Sequence, residues 1–525
     1  MKFHLDIVIL GFNGIKVNTS IVIIIITMSY IVFQKLRGHL YAYEATGKWD
    51  PARKNSRQER RYIGRVDGNG NIIPKGTLRM PKRIDGAYDF GDIFLVMRIA
   101  RDLNLDSLLM DIFQGDGEKM LLLAASRIIM PGSMRLVDPW LSRTYLEESL
   151  PGQRISEILS MAEKRGREFT SAWLKASQKE GAMYFDITSL ESYSSGNRFL
   201  EYGYSRSGRD EPQVNLGLIM GKSMRPLFYD VYPGSIPDVK TLLNILAMLE
   251  RFGITSVMLV LDRGFYSIYN IRELMKFSFV MPLPFRTTAA MEILKACKKI
   301  KTGNARMYSD SLLYVEAGSF QLDGIPLNYT FYYDQEREIL EKRKFFENLT
   351  KVENDLAKIR DMTRVEEMAG PFLKYLRIDP GMIIRRKNRA ISRRLNTMGR
   401  TILISNTKLA WDEALDLYRS RDRVEKGFRY MKSDLGSLPM GVHSDETMQG
   451  YLLVQFISLI IESEIRRRMR KSKMHERMSL HEMLIELSKL RVVKQDGVKF
   501  LTEISKRQRE IFEAMEIEEK DIVIN

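Results

Sequence analysis

The chain has 525 residues, a formal net charge of +16 and a pI near 9.5. This length predicts several modules, and the basic excess favours a polyanionic partner such as DNA, although charge alone does not exclude a generic basic protein. One cysteine, Cys297, excludes an intramolecular disulfide and a thiolate zinc cluster. The five histidines are scattered, so any metal is expected to be a hard cation held by carboxylates.

The N-terminus contains an apolar run, IVIIIITMSYIVF, at 21–33. A membrane span needs about 20 apolar residues, and polar residues interrupt this run upstream. No small-residue cleavage site follows, which argues against a signal peptide. We therefore expect no membrane segment, and we interpret residues 1–27 as a non-native apolar extension ahead of Met28. A buried strand is the alternative.

Residues 28–83 are predicted to be a basic segment, and 84–180 a mostly helical region. The alternation at 62–66, followed by Asp-Gly-Asn-Gly, predicts a hairpin. Apolar residues recur at helical spacing in DIFLVMRIARDL and RISEILSMAEKRGREFTSAWL.

From residue 181 to 285 strands and helices alternate. The predicted strands are YFDITSL, RPLFYDVYP, ITSVMLVLD and SFVMPLP. The predicted helices are DVKTLLNILAMLERFG, ended by Gly253, and YSIYNIRELMKF. Asp186 and Asp262 are both expected at strand ends, where the sites of mixed α/β sheets collect. Asp238 is expected to cap a helix.

An inserted module is predicted at 286–398. Asp262 and Glu425 lie 425 − 262 = 163 residues apart, against 262 − 186 = 76 between the two aspartates. One strand and one helix suffice to connect Asp262 to the segment of Glu425, so the rest is extra. The module contains strand-like pieces, a charged helix at about 335–368 and a basic stretch, IIRRKNRAISRR.

The core is predicted to resume at 399–445, where GRTILISN forms a strand and 411–436 a helix. His443 follows that helix and is interpreted as structural or as a phosphate contact. Residues 446–525 are predicted to be helical. Their apolar stretches suit dimerisation or ordinary core packing equally well.

The most informative run is YRSRDRVEKGFRYMK, which contains Tyr418, Arg421, Glu425 and Lys432 at spacings of three, four and seven. At about 100° per residue, a helix places these four within an arc of roughly 60°. That face presents one aromatic ring, two cations and one carboxylate, which suits phosphates around a metal.

Each carboxylate also has a purely structural interpretation. Asp186 could begin a turn after a strand, and Asp262 could pair with Arg263. Glu425 could belong to an exposed i,i+4 network, because Arg421 flanks it. The combination of spacing and placement favours catalysis over these three separate alternatives.

The Tyr-x2-Arg-x3-Glu-x6-Lys signature resembles that of DDE transposases of the insertion-sequence-four type. Asp-Arg-Gly-Phe at 262–265 resembles the family's second-aspartate block, and 203–242 resembles the segment between its first two aspartates. The resemblance covers roughly 180–290 and 400–465. It implies an α/β, RNase H-like core of the retroviral integrase superfamily, interrupted by a largely β insertion domain, with helical N- and C-terminal regions. It also implies that 84–180, ahead of the core, is a helical DNA-binding region; a plain helical domain with a solvated basic face is the alternative.

The resemblance also implies roles for the six residues. Three would be catalytic and would hold two Mg²⁺ (or Mn²⁺) ions: Asp186, Asp262 and Glu425. Three would bind DNA beside the scissile phosphate: Tyr418, Arg421 and Lys432. Two such ions, about 3.5–4 Å apart, activate the attacking oxygen and stabilise the leaving one.

The implied activity is cut-and-paste transposition through a hairpin intermediate. The expected partners are double-stranded DNA, as terminal inverted repeats and target, and a second copy of the chain in a synaptic homodimer. The expected location is the cytoplasm of a prokaryotic cell, associated with the nucleoid. An RNase H-like nuclease without strand transfer and a non-catalytic DNA-binding relic remain the alternatives. The predicted insert has no tryptophan, which leaves open the aromatic that stacks on a displaced base.

Overall fold

A computed structural model gives the chain a mixed α/β architecture with two compact units. One unit comprises Met1–Ala87 with Val493–Phe500, and the other comprises Tyr88–Val492 with Leu501–Asn525. His443, interpreted above from the sequence alone, lies outside the residues that the structure describes. The structure describes residues 2–9, 22–36, 39–50, 54–67, 70–74, 84–177, 181–192, 197–203, 211–254, 256–297, 300, 304–358, 363–379, 383–436, 440 and 444–524.

The strands in the described residues are β1 (Lys2–Ile9), β2 (Val22–Leu36), β3 (His39–Asp50), β4 (Asn55–Val66), β5 (Ile72–Pro74), β6 (Ile84–Asp89), β7 (Ala182–Glu191), β8 (Gln213–Gly221), β9 (Pro226–Pro233), β10 (Met258–Leu261), β11 (Ser278–Pro282), β12 (Ala305–Tyr308), β13 (Ser311–Leu322), β14 (Ile325–Asp334), β15 (Leu376–Asp379), β16 (Ile383–Arg386), β17 (Arg400–Ser405), β18 (Arg491–Gln495) and β19 (Val498–Leu501).

The α-helices are α1 (Gly91–Asp102), α2 (Leu105–Phe113), α3 (Gly117–Ile129), α4 (Val137–Leu141), α5 (Gly152–Ala176), α6 (Asp238–Arg251), α7 (Ile268–Leu274), α8 (Thr288–Ala296), α9 (Gln335–Leu356), α10 (Thr363–Ala369), α11 (Asn388–Leu395), α12 (Trp411–Arg419), α13 (Asp422–Arg429), α14 (Asp445–Lys471), α15 (Leu480–Leu487) and α16 (Lys506–Ala514). A π-helical segment, Tyr430–Asp434, follows α13.

The first unit contains a five-stranded sheet in the order β1-β2-β3-β4-β5. The predicted hairpin is confirmed, because β4 and β5 pair antiparallel with Val66 opposite Ile72. Most of the apolar run at 21–33 lies in β2, as the strand alternative predicts. Its residues Tyr30 and Phe33 are about half exposed, however, so the strand is not buried there. The interpretation of 1–27 as an extension stays a prediction.

The second unit is built on a nine-stranded sheet in the order β12-β13-β14-β17-β11-β10-β7-β8-β9. Strands β7, β8 and β9 form an antiparallel meander. On the other side of β7, β10 and then β11 run parallel to it, and β17 is antiparallel to β11. The four strands predicted in 181–285 are confirmed. Strand β8, whose residues are all buried, was not predicted.

Two apolar cores cover the two faces of this sheet. Alternate residues of β7 divide between them, with Tyr184 in one core and Phe185 and Ile187 in the other. The Tyr184 face packs against helices that include α5, α13 and α14. The opposite face packs against α6, α7 and α8. Because a helix layer covers each face, the strands read as nearly continuous apolar runs.

The expectation of a separate, largely β insertion at 286–398 needs correction. Strand β14 pairs with β17 along its length, from Asn328 opposite Ser405 to Tyr333 opposite Arg400, so β12–β14 extend the central sheet. The remainder is mainly helical, with α9–α11 and the small β15–β16 hairpin around their own core. Two i,i+4 ion pairs add to the stability of helix α9.

The predicted helical regions are confirmed in character. Helices α1–α5 occupy 91–176, and α14–α16 lie within 445–514. The strands β18 and β19 interrupt the second region and were not predicted. Nineteen residues of α14 are buried, so this helix serves core packing, whereas dimerisation stays a prediction. Asp238 is the first residue of α6 and lies in its first turn, but the N-cap residue is Pro237. Across the described ranges no single helix is long and apolar enough to cross a membrane; one bent pair, Leu105–Ile129 with Met134–Leu141, passes by length and composition only.

Helix α14 carries a buried carboxylate that makes stability depend on pH. Burial raises the pKa of Glu462 from 4.5 to about 7, against the opposing charge of Arg466. The folded state therefore favours the protonated form, and this contribution is full below pH 4.5 and lost as the pH rises through 7. We expect Glu462→Gln to remove up to roughly 3 kcal/mol of the fall in unfolding free energy between pH 5 and pH 8.

Denaturant titrations at several pH values test this expectation. The matched control is Glu464→Gln, because ion pairs with Arg467 and Arg468 lower the pKa of Glu464 despite its burial. That substitution should reduce stability at neutral pH and leave the decline between pH 5 and pH 8 in place. Asp434 and His481 also lie around Glu462. An unchanged decline in Glu462→Gln would contradict the assignment of the pH dependence to Glu462.

Candidate active site

The two aspartates lie level on neighbouring parallel strands. Leu261, the last residue of β10, is opposite Phe185 of β7, so Asp262 lies beside Asp186. Asp262 follows its strand as predicted, but Asp186 does not lie at a strand end. It is in the middle of β7, opposite Leu218, because the antiparallel pairing with β8 carries β7 on to Glu191.

The helix predicted over 411–436 is interrupted. Helix α12 ends at Arg419 and α13 begins at Asp422, with i→i+3 hydrogen bonds through the junction at Ser420 and Arg421. After α13 the backbone widens into the π-helical segment, where the amide of Leu435 donates to the carbonyl of Tyr430 at 2.9 Å. The signature residues therefore do not lie on one regular helix.

A glycine lets α13 lie directly on the sheet. Gly427 is buried, and a Cβ atom there would lie 3.0 Å from Leu218 Cδ2 and 3.2 Å from Met220 Sδ. Those contacts are tighter than normal, but both atoms end flexible side chains. The close approach lets α13 pack against both β7 and β8.

We expect Gly427→Val to destabilise the protein by about 1–3 kcal/mol, because the branched side chain overpacks the interface of α13 with β8. Gly427→Ala is the matched control. Its single methyl needs only small shifts of Leu218 and Met220, and alanine favours a helix over glycine by up to about 1 kcal/mol. Thermal unfolding of both variants checks this, and equal losses of stability would contradict the close-packing argument.

The three carboxylates converge on one guanidinium. Arg421 Nη1 lies 3.3 Å from Asp186 Oδ2 and 3.6 Å from Asp262 Oδ2. Arg421 Nη2 lies 2.5 Å from Glu425 Oε1. The side chain of Asp186 is 17% exposed and that of Glu425 is 53% exposed, so the cluster opens from the sheet towards solvent.

The electrostatics of the cluster keep Arg421 charged and Tyr418 protonated. Burial lowers the pKa of the Arg421 guanidinium, but Asp262 and Asp186 raise it above its ordinary value. Burial and the charge of Asp262 raise the pKa of the Tyr418 hydroxyl. The guanidinium carbon of Arg421 lies 6.0 Å from the centroid of the Tyr418 ring. Tyr418 can therefore donate a hydrogen bond at the edge of the cluster.

Lys432 also reaches the strand that carries Asp186. Its Nζ donates to Thr188 Oγ1 at 2.6 Å. Further along the same face, Arg423 Nη1 donates to the Tyr184 hydroxyl at 2.9 Å. Residues 184, 186 and 188 point to one face because side chains alternate along a strand.

All six predicted residues are thus brought to one region, although not by one helix face. Sequence reasoning missed three residues on this face: Thr188, which accepts from Lys432, and Tyr184 and Arg423, which bond to each other. The alternation of β7 around Asp186 was the signal that could have indicated Tyr184 and Thr188. The structural alternative for Glu425 is also realised, since it forms an i,i+4 pair with Arg421.

The donor set fits a hard divalent cation, but the side chains are not arranged as a preformed metal site. Within the described ranges, no group of three or more His, Cys, Asp or Glu side chains has that arrangement. Three carboxylates nevertheless surround one positive group, and oxygen donors are what Mg²⁺ and Mn²⁺ prefer. Arg421 would have to move away from the carboxylates for ions to bind between them.

One comparison with known proteins bears on this site. A family model described as the transposase DDE domain matches residues 178–461, which is more than half of the chain and includes all six residues. No curated protein matches the chain.

Proposed function

Because the chain belongs to the transposase DDE domain family, we propose that it is a cut-and-paste DNA transposase encoded by an insertion sequence of the insertion-sequence-four type. It binds the ends of its element, cleaves the DNA by metal-dependent phosphoryl transfer and joins the ends to target DNA. The observation that carries this proposal is the convergence of Asp186, Asp262 and Glu425 around Arg421.

The proposal includes an RNase H-like core, formed by 181–285 and 399–445. Its support is the order β9-β8-β7-β10-β11, with an antiparallel meander on one side of β7 and two parallel strands on the other. Asp186 on the central strand and Asp262 after its parallel neighbour then lie at the junction of the two halves. The segments 28–83 and 84–180 are proposed to bind DNA, and 446–525 to complete the fold.

Asp186, Asp262 and Glu425 would hold two Mg²⁺ or Mn²⁺ ions. When bound, these ions would activate the attacking oxygen of water or of a 3′-hydroxyl and would stabilise the leaving oxygen. Asp186 and Asp262 would contribute ligands from neighbouring strands, and Glu425 would contribute one from α13. Release of Arg421 from the carboxylates then frees its planar fork to bind a phosphate bidentately.

The remaining residues position DNA. Lys432 supplies a point charge to a phosphate near the strand of Asp186. Tyr418 packs against a sugar or base, or donates its hydroxyl to a phosphate. We propose that a single site of this kind nicks the element end, forms and opens a hairpin, and then joins the end to target DNA. A homodimer would bring two such sites, one for each end, into one synaptic complex.

The test uses purified full-length protein, Mg²⁺ and a plasmid carrying the element's own inverted repeats, with scrambled repeats as the control. A transposase is expected to release the element only from the true ends and to join it to a second plasmid. Cleavage without joining would favour the nuclease. Binding to the ends without cleavage would favour the non-catalytic relic.

A further inference from the structure

The end of the π-helical segment is held by an arginine from a distant helix. Arg127 of α3 is 1% exposed, and its Nη2 donates to the carbonyl oxygens of Leu435 at 2.6 Å and Gly436 at 3.1 Å. Its Nη1 donates to the carbonyl of Gly132. Carbonyl groups at the C-terminal end of a helix lack intrahelical donors and carry partial negative charge, so a buried guanidinium satisfies them.

A second arginine contacts the first and last residues of the same segment. Arg466 of α14 places its guanidinium 4.2 Å from the centroid of the Tyr430 ring, and its Nη2 lies 2.5 Å from Asp434 Oδ2. Glu462 orients this side chain through a 2.7 Å hydrogen bond from Arg466 Nε. Tyr430 and Asp434 are the first and last residues of the π-helical segment.

Lys432 lies in the segment that Arg127 and Arg466 contact. A π-helical turn is rare and usually occurs as a single local widening, so tertiary contacts are needed to hold it. Gly436 follows with φ of +59°, and a Cβ there would lie 3.2 Å from Arg127 Nη2. The backbone that follows the π-helical segment therefore packs closely around the Arg127 guanidinium. Within the segment, Lys432 Nζ donates to Thr188 Oγ1 of β7 at 2.6 Å.

We infer that Arg127 and Arg466 form an arginine clamp that fixes the π-helical segment and thereby presents Lys432 to a DNA phosphate. Both are positioning residues: they act through Lys432 and do not touch the carboxylate cluster. The inference rests on the proposed function for the role of Lys432, but the clamp itself is a property of the protein without DNA.

The first measurement therefore omits DNA. Hydrogen–deuterium exchange is compared in wild type, Arg466→Met and a matched control, Arg467→Met. Arg467 neighbours Arg466 on α14 and pairs with Glu464. We expect Arg466→Met to speed exchange of the amides of 431–436 by about tenfold or more and to leave α13 and β7 unchanged. Arg467→Met should leave all of them unchanged. Unaltered exchange at 431–436 in Arg466→Met overturns the clamp.

The second measurement asks whether the clamp acts through Lys432. Single-turnover cleavage of end DNA is measured for Arg466→Met, Lys432→Ala and the double variant. We expect each single variant to lose about tenfold in rate and the double variant to lose no more than Lys432→Ala alone, because residues that act as one unit are not additive. Losses that multiply in the double variant overturn action through Lys432.

The conservative variants separate positioning from general destabilisation. Arg466→Lys keeps the charge but loses the stacked planar group. Arg127→Lys loses the fork that reaches Gly132 with one nitrogen and Leu435 with the other. Both should fold with intermediate exchange at 431–436 and intermediate cleavage rates. Fast exchange in these variants, together with no cleavage by the wild type, would contradict the proposed function and leave the clamp supported. Slow exchange with reduced cleavage would overturn the clamp alone.

Discussion

Replacing Asp186 or Asp262 by Asn, or Glu425 by Gln, should abolish DNA cleavage while leaving binding of element ends intact. Each change removes one carboxylate charge from the cluster around Arg421 and almost no volume. Losses of at least about 10³-fold in single-turnover rate are expected, because metal activation of the attacking and leaving oxygens is lost together. A gel assay with Mg²⁺ measures cleavage, and a mobility shift measures binding.

The matched control for these variants is Asp422→Asn. Asp422 lies on α13 with Glu425 but pairs with Lys426 at 2.6 Å, away from the aspartates. Its substitution should leave the cleavage rate within a few fold of wild type, which is about 1 kcal/mol in the barrier. Cleavage by Asp186→Asn at the wild-type rate would show that this cluster is not the active site.

Replacing Arg421 by Ala should have opposite effects on metal binding and on chemistry. In the protein without metal, Arg421 is the positive group shared by three carboxylates. Its removal leaves those charges to repel one another, so the unfolding temperature should fall and Mg²⁺ should restore more of it than in wild type. A calorimetric titration with Mg²⁺ should show tighter binding to Arg421→Ala.

The same variant should slow cleavage and hairpin steps about 10- to 100-fold, because a charge-assisted contact to a phosphate matters most in the transition state. Initial end binding should change little, and Arg421→Lys should recover part of the rate. Arg423→Ala is the control, since Arg423 contacts Tyr184, which lies on the same strand as Asp186. If Arg421→Ala weakens binding and every step by one common factor, Arg421 is a general DNA anchor.

These two predictions differ in how far they depend on tertiary structure. The proposed roles of Asp186, Asp262 and Glu425 rest on motif spacing and resemblance. The metal-dependent stability of Arg421→Ala follows only from the distances between Arg421 and the three carboxylates. Spacing along a helix places Arg421 near Glu425, but it does not show that the guanidinium also reaches two strands more than 150 residues earlier.

The sequence by itself determined the strands and helices whose patterns are local. The strands around Asp186 and Asp262, the hairpin after Val66 and the helix ended by Gly253 could all be predicted, because side-chain periodicity and turn residues act over a few positions. The order of the six site residues along the chain also needed no structure.

Only the tertiary structure decided how distant segments pair and where a helix departs from regular geometry. The pairing of β14 with β17 joins the predicted insertion to the central sheet, because exposed backbone groups at a strand edge accept partners that no local pattern specifies. Asp186 lies in mid-strand because β8 extends the pairing of β7. The π-helical segment of Lys432 exists where Arg127 and Arg466 hold it, since a widened turn is stabilised by contacts from outside its own helix.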